Sequence, residues 1–268
     1  MAETQSASEG AQSASLDVVS YECGASEIWL NRPERLNALG VEMVQLLLNA
    51  IENLVENGAT ALFIRARGRS FCTGADLKER RTMSKEQQYA HNRAINAACN
   101  ALAGAPVPTI AVINGVAMGG GLELALSCDI RIAAEGAMVG LTETRIGAIP
   151  GAGGTQRLPR LIGASQALYM MYSGEPVSAR RALEIGLVND CVPDEELDKF
   201  VARYREVLAS RSPATARTLK RVVKDGIFLP IADGLECEHE AIKAIFGSAD
   251  YAEGLAAFAE KRPPKFAR

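Results

Sequence analysis

Three observations predict an α/β fold. Over the first two thirds of the 268-residue chain, short apolar runs of strand length alternate with longer amphipathic segments. Glycine-rich turns punctuate that alternation. The last third carries helical signals only. In chain order, strands are predicted over Leu16–Tyr21, Glu27–Leu30, Ala61–Arg65, Thr109–Ile113, Ile130–Ala133 and Leu187–Cys191. Between the second and third of these, Val44, Leu47, Leu48, Ile51, Leu54 and Val55 recur on one helical face. A helix is therefore expected over Val41–Glu56, with Gly58 as its stop. Ser84 with Gln87 three residues on forms a capping box that opens a second helix. Later helices start after Ser178 (closed by Gly186), at Asp194, and at Ser212-Pro213 (ending at Gly226). Two more cover Ile231–Phe246 and Asp250–Lys261. The expected division is a polar, disordered tail over 1–15, an α/β core over 16–208 and a helical docking or oligomerisation region over 209–268.

Bulk properties exclude several classes. A 48% hydrophobic composition suffices for one large core. The net charge of −3 argues against a general nucleic-acid binder. No apolar run approaches the roughly 20 residues of a membrane span. The tail has two acids and no arginine, unlike a mitochondrial presequence. Six cysteines stand apart without a CxxC pair and read as free thiols in a reducing compartment. With only His91 and His239 beside them, no metal site is expected. Both histidines lie in polar helical stretches and are read as solvated, as are Lys220, Arg221 and Lys224.

Three glycine-rich stretches carry the chemistry. "VAMGGGLELALSCD" (116–129) places three glycines before an apolar helix with Glu123 in its first turn. Such glycines serve either a tight backbone contact or access to the unpaired N–H groups of a helix N-terminus, which favour an oxyanion. The spacing is neither GxGxxG nor a P-loop. "RSFCTGADLKER" (69–80) offers a second bare turn, so two N–H donors from separate loops could form an oxyanion hole for acyl chemistry. "GLTETRIGAIPGAGGTQRLPRLIG" (140–163) supplies Glu143 and the turn Pro150–Gly154. Two glutamates beside glycine clusters are either structural or an acid–base pair set apart by their environments. No GxSxG elbow is present.

Together with "LNRPERLNAL" (30–39), "CDIRIAA" and "EGLAAFAEKRPPKF", these motifs, in this order, make the chain resemble the enoyl-CoA hydratase/isomerase (crotonase) superfamily. The resemblance covers nearly everything after the tail. The combination of "GADLKERRTM", "CDIRIAA" and "EKRPPKF" looks most like methylglutaconyl-CoA hydratases of leucine degradation. The resemblance implies a crotonase-like spiral of ββα turns with a C-terminal helical trimerisation region, assembled as two stacked trimers. It implies an enoyl-CoA hydratase adding water across the 2,3 double bond of the thioester, with 3-methylglutaconyl-CoA as the substrate. A short-chain hydratase of fatty-acid β-oxidation, an isomerase, and a CoA- or RNA-binding scaffold are the alternatives.

By that resemblance, Ala75 and Gly120 are the oxyanion-hole donors, Glu123 and Glu143 the catalytic pair, and Gly151 borders the water. Arg35, Leu36, Ala38, Thr73, Asp76 and Leu77 lie along CoA; Phe258 and Lys261 reach the CoA of a neighbouring subunit. No cofactor is implied beyond the substrate's own CoA. Arg80, Arg81 and Arg145 are candidate partners for a second substrate carboxylate. RNA binding is not expected, since 41–58 holds acids and no lysine. The implied compartment is mitochondrial in a eukaryote and cytoplasmic in a bacterium.

Overall fold

A computed structural model of the chain describes residues 7–12 and 15–267. Among them the strands are β1 (Ala7–Gln12), β2 (Leu16–Tyr21), β3 (Ala25–Leu30), β4 (Ala61–Ala66), β5 (Ser70–Cys72), β6 (Thr109–Ile113), β7 (Val116–Met118), β8 (Ile130–Ala134), β9 (Met138–Gly140), β10 (Val177–Ser178) and β11 (Asp190–Val192). The helices of the core are α1 (Val41–Glu56), α2 (Leu77–Arg80), α3 (Lys85–Gly104), α4 (Gly120–Ser127), α5 (Gly154–Ile162), α6 (Ala164–Ser173), α7 (Ala179–Glu184) and α8 (Leu197–Ala209). Then come α9 (Pro213–Gly226), α10 (Ile231–Phe246) and α11 (Ala249–Ala259).

The strands form a seven-stranded sheet, ordered β1-β2-β3-β4-β6-β8-β11, and a four-stranded sheet, ordered β10-β9-β7-β5. Three successive units, opening with β4-β5, β6-β7 and β8-β9, send their first strand to the large sheet and their second to the small one. Helices follow each pair, so the chain winds as the expected ββα spiral. From β3 to β11 the large sheet is parallel. Parallel strands are covered on both faces and read as continuous apolar runs. In β4, Leu62, Ile64 and Ala66 pack into the core beneath α1, α3 and α4, while Ala61 and Phe63 point to the opposite face. There α8 covers them with Leu197 and Val201.

Three expectations are corrected. Ala7–Gln12, read as part of a disordered tail, pairs antiparallel with β2. The edge of β2 offers unpaired backbone donors and acceptors that any extended segment can meet. The rest of that tail before Ser15 lies outside the described residues. His91 is 4% exposed rather than solvated, because α3 turns it toward Leu39 and the 76–80 segment. Lys220 is not solvated either: its Nζ donates to the Val107 carbonyl and the Asp129 carboxylate, both at 2.7 Å, and pins α9 to the core. Lys224 joins the same carboxylate at 3.0 Å.

Candidate active site

The site lies where the small sheet ends. β5 leads into the Thr73–Asp76 turn and β7 leads into the first turn of α4. Their close approach requires glycine at 119 and 121 for different reasons, and the glycine between them leaves open space. Gly119 has φ +51, a left-handed conformation. A Cβ at Gly121 would stand 2.0 Å from the Cys72 carbonyl oxygen. A Cβ at Gly120 would fit, at 3.5 Å from the Gly74 Cα, but would stand 3.6 Å from the Ala75 nitrogen and fill the space that this N–H faces.

Ala75 is itself held by a bridge in which the Leu39 N–H donates to the Gly74 carbonyl and the Asp76 N–H to the Leu39 carbonyl. Among the described residues the Ala75 N–H has no acceptor. Gly120 opens α4, where no intrahelical acceptor exists for its N–H. Two unpaired donors from separate loops thus face one space.

Glu123 and Glu143 meet in that space. Glu123 is 2% exposed, and its Oε1 accepts from the Ala152 and Gly154 N–H groups, both at 2.7 Å. Burial raises its pKa, opposed by those donors and by the Arg157 guanidinium. Arg157 also braces the 150–154 turn through the Ala152 carbonyl. Glu143 sits in a single 3-10 turn, Glu143–Ile146. Its Oε2 is buried without a partner, and a Cβ on Gly119 would stand 3.1 Å from its Oε1. Burial pushes the Glu143 pKa up to about 7, with the nearby Glu123 charge adding to the rise. One carboxyl is therefore held by backbone donors and the other is poised near neutrality, a pairing suited to base and acid. Cys72, beneath the glycines, is no nucleophile: burial pushes its thiol up to about 12.

These groups line one cavity of about 330 Å³, together with Thr73, Leu77, Arg80, Asn92, Arg145 and Gly151. The structure thus gathers Ala75, Gly120, Glu123, Glu143, Gly151, Thr73 and Leu77. Leu36 is tied in through its carbonyl, which accepts from the Thr73 N–H at 3.2 Å. Arg35 is exposed and Ala38 buried on the same loop. Asp76 is spent structurally, capping α2 through the Lys78 and Glu79 N–H groups and pairing with Arg32 at 3.5 Å. Phe258 and Lys261 lie on and just after α11, outside this cavity. Sequence reasoning missed Asn92, whose amide fills the space beside Gly151, and the donor role of the 152–154 backbone. A larger cavity, about 790 Å³ beneath α9 and α11, is mostly apolar, and its Lys220 and Lys224 are both engaged by the Asp129 carboxylate.

Comparisons with known proteins give the family. The sequence profile of the Enoyl-CoA hydratase/isomerase family matches residues 21–268. The chain is 40% identical over 245 residues to a probable enoyl-CoA hydratase 2, mitochondrial, of Arabidopsis thaliana, covering 91% of this chain and 81% of that protein. It is 38% identical over 251 residues to the mitochondrial methylglutaconyl-CoA hydratase of Homo sapiens, covering 91% and 74%. The crystal structure of an enoyl-CoA hydratase from Bacillus anthracis superposes with a TM-score of 0.89 at 39% identity, covering 98% of this chain and 99% of that one. The chain belongs to the enoyl-CoA hydratase/isomerase family of enzymes.

Proposed function

We propose that the protein hydrates the 2,3 double bond of an enoyl-CoA thioester. The observation that carries this reading is the meeting of two unpaired backbone donors with two glutamates of unlike environment in one cavity. The thioester oxygen accepts from the Ala75 and Gly120 N–H groups. Water rests between the carboxyls, with Gly151 at its border. Glu123, ionised, takes a proton from the water as its oxygen bonds to the β-carbon. The π electrons move toward the thioester, and the enolate oxygen is stabilised by about 3–4 kcal/mol for each good donor. Glu143, protonated, delivers its proton to the α-carbon and so completes the addition. Proton exchange between the two carboxyls then restores the starting state.

The CoA chain runs along Arg35, Leu36, Ala38, Thr73 and Leu77, with Asp76 shaping that loop. Phe258 and Lys261 are assigned to the CoA of a neighbouring copy. The substrate proposed is 3-methylglutaconyl-CoA, because arginine side chains reach the cavity. Arg81 does not line it; Arg80 and Arg145 do.

Loss of enoyl-thioester absorbance tests the reading, with crotonyl-CoA and 3-methylglutaconyl-CoA as substrates. The wild type is expected to hydrate the branched dicarboxylic substrate with the higher kcat/KM. Glu123→Gln and Glu143→Gln are each expected to lose at least about 10²-fold. A wild type inactive on both substrates, or variants as fast as the wild type, would assign the glutamates a structural role.

A further inference from the structure

Arg80 ends the single turn of α2, five residues past the Ala75 donor, and its side chain lines the cavity that holds Glu123 and Glu143. Its Nε and Nη2 are buried without a hydrogen-bond partner, and among the described residues its guanidinium joins no ion pair. The carboxylates close to it in the chain are occupied elsewhere. Asp76 caps α2 and pairs with Arg32, and Glu79 accepts from the Val41 N–H at 3.3 Å. The neighbouring imidazole of His91 offers no negative charge. Arg145, the other arginine of the cavity, is paired with Glu175. A half-buried cation without a counter-charge is costly, and a planar guanidinium matches a carboxylate in two-point geometry.

We propose that Arg80 binds the chain-end carboxylate of a dicarboxylic enoyl thioester and so sets the preference of this cavity for carboxylated over uncharged acyl groups. The proposal rests on the enoyl-thioester reading above, and it names the residue that selects among such substrates. Arg145, already neutralised by Glu175, is not that residue.

Binding of two saturated thioesters of equal chain length, glutaryl-CoA and pentanoyl-CoA, measured by calorimetry, isolates the carboxylate from the CoA contacts. In Arg80→Met the affinity for glutaryl-CoA relative to pentanoyl-CoA is expected to fall about 10- to 100-fold, the range of a lost charge-assisted contact. Arg80→Lys is expected to recover part of that ratio, and it serves as the second variant should the methionine form not fold. Equal weakening of both thioesters would overturn the proposal by making Arg80 a CoA or structural contact. An unchanged ratio in both variants would also overturn it. Failure of the wild type to bind either thioester would overturn the enoyl-thioester reading itself, and this proposal with it.

Discussion

Two glutamates of the same cavity differ in what surrounds them, and the proposed roles rest on that difference. Burial raises the pKa of both, but for Glu123 two backbone donors at 2.7 Å oppose the rise, whereas Glu143 has a buried oxygen with no partner. Burial lifts Glu143 from 4.5 to about 7, so it carries its proton below that pH. Activity is therefore predicted to decline on the alkaline side of about pH 7, as Glu143 ionises and the α-carbon loses its proton donor. A pH profile of kcat/KM should show that limb, and Glu143→Gln should abolish it. Linkage runs the same way for stability. The folded state binds the Glu143 proton more tightly than the unfolded chain does. That contribution is complete below about pH 4.5 and is lost as pH rises through about 7. Both glutamates are visible in the sequence, but their division of labour is not. It depends on the 151–154 turn folding back onto Glu123, a contact spanning 29 and 31 residues. His91 shows the same limit. A polar helix position is buried or wet according to what packs over it, here Leu39 and the 76–80 segment.

At the scale of elements, the junctions of β5 and β7 with their following turns bring Ala75 and Gly120, the proposed oxyanion donors, to one cavity. Neighbouring glycines there do different work, and alanine separates them. Gly120→Ala is predicted to fold with little change in Tm, since its Cβ meets nothing closer than 3.5 Å, yet to lose about 10²- to 10³-fold in kcat. Gly121→Ala, whose Cβ would stand 2.0 Å from the Cys72 carbonyl oxygen, is predicted to lose about 1–3 kcal/mol or more of stability. Thermal melts beside initial rates distinguish the two; a stable, inactive G121A with an unfolded G120A would reverse the assignment. Long elements were legible. The capping box of Ser84 and Gln87 forms as predicted, and Ser212-Pro213 opens α9. The strands of the small sheet were not: β5, β7 and β9 are three residues each, too short for a periodic signal, and β10 has two. Their positions follow from sheet pairing between distant segments, such as Ser70 with Val116.

For the whole molecule, the C-terminal helices leave an apolar surface uncovered. Leu219, Ile227, Phe228, Ile231, Phe246 and Phe258 are each at least 60% exposed, on α9, on the turn after it, on α10 and on α11. Large apolar side chains left exposed in such number favour association. Self-association through these helices, as a hexamer of two stacked trimers, is our proposal. Light scattering should give a mass several times the 28.5 kDa of one chain, and Phe228→Glu with Ile231→Glu should lower it. A wild type that scatters as a single chain would refute it. Addition of water across the double bond is tested most directly by turnover of crotonyl-CoA and of 3-methylglutaconyl-CoA in water labelled with heavy oxygen. One heavy oxygen is expected in the product, bonded to the β-carbon of an intact CoA thioester, with its formation slowed at least about 10²-fold in Glu123→Gln. Heavy oxygen in a freed acid, a shifted double bond with no oxygen gained, or no turnover at all would contradict it.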